Sequence, residues 1–297
     1  MGRGIELGSE MDLPTEPGLM ALTDADVADL WLVPGEKEHK YTRGVVGLLT
    51  GSHTYPGAAV LSAAGALAAG PGMVRYLGNS PLVVPAFPEV VPAAGQVQSL
   101  VIGSGLTSLA EARARYDAAL AAGTPLVLDA GGIELAYERD LPEHVVLTPH
   151  AGELSALLRA KGEAVTRDDV EARPAWAAKQ AAQLTGATVL AKFATDAVAA
   201  PSGELYAQPG GPGWAATAGA GDVLAGLVGA LLAMHAHDLQ TGDLQGITPA
   251  KLAAAASHIH AQAAIAAACS QGRVGRPIRA SEIAAHIPHV IERILND

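Results

Sequence analysis

Cysteine is all but absent from this chain. Of 297 residues only Cys269 carries a thiol, so no intrachain disulfide can form, and a reducing, cytoplasmic setting is expected. Its apolar neighbours, "AIAAACS", mark it as a buried, inert thiol. Aromatic residues are scarce at 4%, and charged residues make up only 16%. With a net charge of -11, the thin basic content argues against sequence-independent nucleic-acid binding, which needs Lys and Arg to displace counterions. It leaves room for a phosphorylated small molecule, because one helix N-terminus can hold an anion locally. The first twenty residues lack the apolar core of a secretory signal. Two long uncharged stretches, 54–74 and 90–110, are broken by Gly and Pro and are poor in Leu, Ile and Phe. They read as buried α/β segments, and no membrane span is expected.

What is abundant is small and apolar. Hydrophobic residues reach 49% and glycine numbers 34, enough for a sizeable core. Small side chains in such number imply closely packed helices and backbone that approaches a ligand. The length fits one large α/β domain, with residues 1–40 as a loose N-terminal arm and 41–297 as the domain.

Within the arm, "TDADVADLWL" predicts one short helix capped by Thr23. Beyond it the pattern alternates. "GVVGLLTG" is a short apolar run ending in Gly, and "PGAAVLSAAGALAAG" is a helix that opens on Pro and closes on Gly. "GMVRYLG" and "PLVVPAFPEVV" read as strands. Further strands are expected in "SLVIGSGL", "TPLVLDAGG", "HVVLTPHAGE" and "ATVLAKFATD", with helices at 108–123, in "ELSALLRAKG" and in "ARPAWAAKQAAQLTG". "APSGELYA" reads as a hairpin at the sheet edge, and 221–236, 249–269 and 280–294 as helices. Alternating apolar strands and helices predict a mostly parallel sheet covered on both faces.

Ligands of open α/β sheets bind beyond the carboxyl ends of the strands. There this sequence delivers Gly51, Ser52, His53 and Tyr55; Gly103, Ser104 and Gly105; Asp129, Ala130 and Gly131; Thr148, Pro149, His150 and Glu153; and Lys192 and Thr195. Last comes Thr217–Asp222, inside "WAATAGAGDVLAGL". Gly219 and Gly221 leave backbone N–H groups bare at the positive end of a helix, a cradle for a phosphoryl group. Asp222 is read either as a base that takes a proton from an attacking hydroxyl or as an N-terminal cap or dipole partner. In "LTPHAGE", His150 can donate to a phosphate or amide; the plainer reading is a capping arrangement with Thr148 as cap and Glu153 in the first turn. Lys192 meets phosphates or snorkels at the surface. Asp129 positions a metal or a substrate hydroxyl, or closes an Asx-turn. The pairs His235/His237 and His258/His260 have i,i+2 spacing, which points them to nearly opposite helix faces, so neither chelates a metal. Gly103 and Gly105 are followed by Ser108, so the segment is not a dinucleotide fingerprint.

The ordered set "KYTRGVVGLLTGSHTYPGAAVLSAAGALAAGPGMV", "VIGSGL", "LVLDAGG", "LTPHAGELSALL", "LAKFATD" and "AATAGAGDVLAGLVGALLA" resembles the ADP/ATP-dependent NAD(P)H-hydrate dehydratases from about residue 40 to 295. The resemblance implies a ribokinase-like, three-layer α/β/α fold and a requirement for Mg²⁺. It implies an adenine nucleotide, ADP or ATP, as co-substrate, and a repair reaction that returns hydrated NADH or NADPH to the reduced cofactor. A homo-oligomer is expected, a tetramer being favoured. The arm is short for the epimerase domain that many relatives carry, so the dehydratase alone is expected. Matched residue by residue, the resemblance assigns Ala58, Gly105 and His150 to the hydrated cofactor, with Asp129 and Asp222 beside them. It assigns Lys192, Phe193, Ala194, Thr195, Asp196 and Gly221 to the nucleotide, and Asp222 to the role of base, supported by Gly219 and Gly221. No metal ligands are assigned. This chain has "GSGLT" where relatives usually have "GPGLG", "DAGGI" where they often have "DADAL", and "AKF" where they usually have "LKG". An ordinary small-molecule kinase, such as a vitamin or hydroxyethylthiazole kinase, and a non-catalytic nucleotide-binding module are the competing expectations.

Overall fold

A strand covered on both faces must be apolar or have its polar groups paired, and Val45–Leu49 and Ser99–Ile102 are buried throughout, with the Ser99 hydroxyl donating to the Gly229 carbonyl at 2.6 Å. In the computed structural model, which describes residues 18–242, 246–269 and 275–297, these runs pair side by side toward one edge of a single sheet. The chain runs β1 (Leu19–Met20), α1 (Asp24–Ala28), β2 (Val45–Leu49), α2 (Pro56–Ala68), β3 (Met73–Tyr76), α3 (Val83–Ala86), β4 (Ser99–Ile102), α4 (Ala110–Ala121) and β5 (Leu126–Leu128). A 3₁₀ turn over Ala130–Ala136 leads to β6 (Val145–Leu147), α5 (Ala151–Ala160), α6 (Arg167–Ala172), α7 (Pro174–Thr185), β7 (Thr188–Ala191), β8 (Thr195–Ala199) and β9 (Leu205–Pro209). After a short turn at Gly213–Ala215 the rest is helical: α8 (Ala220–Met234), α9 (Ala236–Thr241), α10 (Pro249–Ala268) and α11 (Ala280–Asn296).

The nine strands lie in the order β1-β9-β8-β7-β6-β5-β4-β2-β3. β2 to β7 are parallel to one another, and β8 is antiparallel to both its neighbours. Successive side chains on a strand point to opposite faces, and the core divides accordingly. Val46, Leu48, Val101, Val127 and Val146 face α2, α8, α10 and α11. Leu49, Leu100, Ile102, Leu126, Leu128 and Leu147 face α4, α5 and α7. The result is three layers, as expected.

The excess of small residues is used where α2 crosses α8. A Cβ on Gly65 would fall 2.0 Å from the Val223 carbonyl oxygen, and one on Gly226 would fall 2.0 Å from that of Ser62. The two backbones are in direct contact, and this contact fixes where the N-terminus of α8 stands. Chain order also reverses here: β4 pairs with β2, whose other neighbour is β3. The resulting crevice opens at the carboxyl ends of β2 and β4.

Several expectations change. "PLVVPAFPEVV" is no strand: Val83–Ala86 make a helical turn, with the Phe87 N–H donating to the Val83 carbonyl. Pro85 and Pro88 lack the N–H groups a ladder needs. The short helix α6 was not expected, although Thr166 and Asp169 close a capping box at its start. The arm is not loose where it is described. Leu19–Met20 add β1 alongside β9, Thr23 caps α1 as expected, and Asp24 binds His258 at 2.6 Å and Arg293 at 2.6 Å. Cys269, expected to be buried, is half-buried at the end of α10.

Candidate active site

The N-terminus of α8 is built by Gly219. Its φ of +92° is left-handed, and a Cβ there would strike Leu61 Cδ1 at 2.3 Å, so glycine is required on both counts. No side chain caps this helix. Asp222, the third helical residue, makes no capping hydrogen bond, so the cap falls away; it stands in the first turn, where the dipole-partner reading remains beside that of base. The first-turn N–H groups of Gly221 and Asp222 come before the helix can supply acceptors for them, so they remain available to an anion. The Asp222 carboxyl is pushed up to about 7, first by burial and then by the negative charge of Asp129; Lys192 and a hydrogen bond from Ser104 act against this.

Asp129, at the end of β5, is enclosed. One oxygen accepts from Lys192 Nζ at 2.8 Å and from Thr148 Oγ1 at 2.7 Å, and the other accepts from Ser104 Oγ at 2.5 Å. Only 2% of the residue is exposed and both its oxygens are engaged within the protein, so the Asx-turn gives way to an internal ion pair. Burial pushes the carboxyl up, but the Lys192 charge and the three hydrogen bonds outweigh it and hold it below the usual range. Lys192 turns inward for the same reason instead of snorkelling. Its Nζ lies 3.2 Å from where a Cβ on Gly221 would stand, beside the mouth of α8. A side chain at 221 would crowd this ammonium.

His150, not Thr148, is the cap of α5. Its extended backbone lets Nδ1 accept from the N–H groups of Gly152 at 3.0 Å and Glu153 at 3.2 Å, while Glu153 accepts from the His150 N–H at 2.9 Å. With Nδ1 accepting, the ring proton sits on Nε2, which lies 3.4 Å from Glu153 Oε1 at the edge of the cavity. The strand end carrying His150 adjoins that of Lys192, whose N–H donates to the Pro149 carbonyl at 2.9 Å.

A cavity of about 550 Å³ opens here. His150, Lys192, Phe193, Ala194, Asp196, Thr217 and Gly221 contribute to its wall, which brings together most of the expected nucleotide residues; Thr195 is not part of that wall. Asp196 is buried and braces the turn, accepting from the Phe193 N–H at 2.9 Å and from Ser257 Oγ at 2.7 Å. Burial pushes its carboxyl up to about 6. His260 also lines the cavity, a role the sequence reading missed because it weighed this histidine only as a metal ligand. Its Nε2–H donates to the Ala220 carbonyl at 3.0 Å, tying α10 to the first turn of α8. Burial holds its ring down at about 4 and therefore neutral. The i,i+2 reading holds for its neighbour, since His258 faces away toward Asp24.

Ala58 and Gly105 meet on the other side of the Ser104 turn, where a Cβ on Gly105 would lie 2.7 Å from that of Ala58. A smaller cleft of about 160 Å³, lined by Gly51, Ser52, Gly78, Asn79 and Thr107, adjoins them at the β2/β4 crevice.

A family model described as NAD(P)H-hydrate dehydratase matches residues 46–288. The bifunctional NAD(P)H-hydrate repair enzyme Nnr of Mycobacterium leprae is 42% identical over 290 residues, which are 93% of this chain and 57% of that protein. The chain thus spans little more than half of that relative. The ADP-dependent (S)-NAD(P)H-hydrate dehydratase of Xanthomonas campestris pv. campestris is 32% identical over 285 residues, covering 88% of this chain and 91% of that one. Among solved structures, the ADP/ATP-dependent NAD(P)H-hydrate dehydratase of Bacillus subtilis, co-crystallized with ATP/Mg²⁺, superposes with a TM-score of 0.79 at 26% identity, over 94% of this chain and all of that one.

Proposed function

The chain belongs to the NAD(P)H-hydrate dehydratase family, and from that premise we propose that it returns hydrated NADH or NADPH to the reduced cofactor at the expense of a nucleotide phosphoryl group. The observation that carries this reading is Asp222: a half-buried carboxyl at about 7, one residue beyond the bare backbone of Gly221 and beside Lys192. A base is most effective when its pKa lies near the working pH.

In this reading Asp222 takes the proton of the C6 hydroxyl. The freed oxygen attacks the terminal phosphorus of ADP or ATP, leaving AMP or ADP. The charge that builds on the phosphoryl oxygens is met by the N–H groups at the start of α8, including that of Gly221, and by the Lys192 ammonium, which faces the same cavity. Gly219 supplies the turn that exposes them. The phosphate ester at C6 then departs, pushed by the ring nitrogen's lone pair, and loss of a C5 proton restores the dihydronicotinamide. Lys192, Phe193, Ala194, Thr195, Asp196 and Gly221 form the nucleotide side of this scheme, and Ala58, Gly105 and His150 the cofactor side.

Mg²⁺ enters as the nucleotide's counter-ion. Among the described residues no group of three or more His, Cys, Asp or Glu is placed to hold an ion. An ion arriving with the nucleotide would be held mainly by the phosphates themselves. When bound there it neutralises phosphoryl charge. A homo-oligomer, with a tetramer favoured, and a cytoplasmic setting belong to the same proposal; no helix among the described residues is long and apolar enough to cross a membrane.

The test is incubation with NADH hydrate, Mg²⁺ and ADP or ATP. Dihydronicotinamide absorbance should rise only with nucleotide present. A stable phosphorylated hydrate seen by ³¹P NMR would instead make the chain a kinase, and neither product would leave a binding module.

A further inference from the structure

We infer that the Asp129–Lys192 ion pair is a positioning device for Asp222: a sealed carboxylate that meets no reacting atom, and the ammonium it holds at the cavity wall, set the proton state of the base from opposite sides. This deepens the dehydratase reading and rests on it for the role of Asp222.

The geometry leads to it. Asp129 is sealed by three donors from three other strand ends: Ser104 after β4, Thr148 after β6 and Lys192 after β7. One of those donors, Ser104, also bears on Asp222, lowering its carboxyl. Another, Lys192, lies against the Gly221 backbone, one residue from Asp222. Asp129 and Lys192 are the two charges acting on Asp222, the first raising it and the second lowering it. From α5, Glu153 bears on Lys192, and from α10 the neutral His260 ties down the Ala220 carbonyl. A fully buried carboxylate with every contact internal has no ligand left to bind, so its influence on chemistry passes through its neighbours.

A pair of opposite charges makes a signed prediction, readable without turnover. The carboxyl carbon of Asp222 is followed by ¹³C NMR in the full chain without nucleotide, its resonance identified by its loss in Asp222→Asn. Asp129→Asn removes the like charge and leaves Lys192 unopposed, so the Asp222 midpoint should fall by about one pH unit or more. Lys192→Met removes the opposite charge, so the midpoint should rise by about half a unit or more. The double variant should lie between the two. Should the single variants fail to fold, the double variant leaves no charge unpaired. Its midpoint should then drop below wild type, since Asp129 acts on Asp222 more strongly than Lys192 does. Midpoints that stay put, or single variants that shift in the same direction, overturn the inference, as does an unchanged midpoint in the double variant. An inactive wild-type chain would sink the dehydratase reading and leave the titration to decide this one. With activity, the acid limb of kcat/KM should follow the same shifts.

Discussion

Asp129 at the end of β5 and Asp222 at the start of α8 share Ser104 and Lys192 as neighbours, yet only Asp129 has its charge matched. Asp129 holds an ammonium and two hydroxyls and sits below the usual carboxylate range. Asp222 is half-buried, has no cation of its own, and is pushed up to about 7. Two carboxyl groups whose environments drive them apart take different work: the low one is a fixed charge, the high one can trade a proton near neutral pH. Breaking either side of this comparison should therefore give different symptoms.

The largest effect is expected in stability, from Asp129's partner. Lys192→Met leaves a buried carboxylate without its cation, and removing one member of a buried pair costs about 3–5 kcal/mol. Urea unfolding should show that loss, and adding Asp129→Asn should recover most of it. A destabilisation below about 1 kcal/mol would mean that solvent already reaches the pair.

The next effect is catalytic. Asp222→Asn keeps the shape and removes the proton acceptor, so turnover should drop at least about 10²-fold, within the range for a general base. Nucleotide affinity should stay near wild type. Turnover within about threefold, under roughly 1 kcal/mol of barrier, would strip Asp222 of the role.

How much of this was legible in the sequence follows the distance over which each contact acts. The short apolar runs that end in Gly, the Thr23 cap and the helix entry at Gly219–Asp222 are local patterns, and they appear where the sequence predicts them. "PLVVPAFPEVV" has the apolar content of a strand, but its three prolines lack the N–H groups a ladder needs. The cap of α5 passed from Thr148 to His150 because the Thr148 hydroxyl is turned to Asp129, a partner 19 positions away, while His150 is extended directly before Ala151. The Asp129–Lys192 pair joins residues 63 positions apart, and His260 reaches Ala220 across 40. Neither is visible until the sheet brings its strand ends together. What was readable is that chemistry gathers on one rim; which residues face the ligand and which face each other was not.

A smaller effect sharpens the contrast through pH. Asp222 holds its proton more tightly folded than unfolded, where its ordinary value is 3.8. The stability from that proton is fully present below about pH 4 and is lost as pH rises through about 7, after which the buried charge is a burden. Asp222→Asn should therefore be more stable than wild type at pH 8.5, by about 1 kcal/mol once solvent screening and the lost helix-dipole interaction are allowed for. The gain should shrink at pH 5. Melting curves at the two values test this, and an equal offset at both would show that burial does not raise this carboxyl.

The smallest expected effect concerns His150, which has one ring nitrogen for the fold and one for a ligand. Nδ1 caps α5, while Nε2 lies 3.4 Å from Glu153 Oε1, a long contact that a ligand acceptor in the cavity could replace. His150→Ala loses both functions, and the cap alone is worth about 1 kcal/mol. His150→Asn keeps a capping side chain and loses the outward donor. If Nε2–H grips the hydrated cofactor, both variants should raise its KM by about tenfold, the value of roughly one hydrogen bond, while the Asn variant melts close to wild type. The nucleotide KM should move less. Because His150 shares the cavity wall with Lys192, an equal rise in both constants would reassign the ring to the nucleotide, and an Asn variant silent in both would leave His150 as a cap alone.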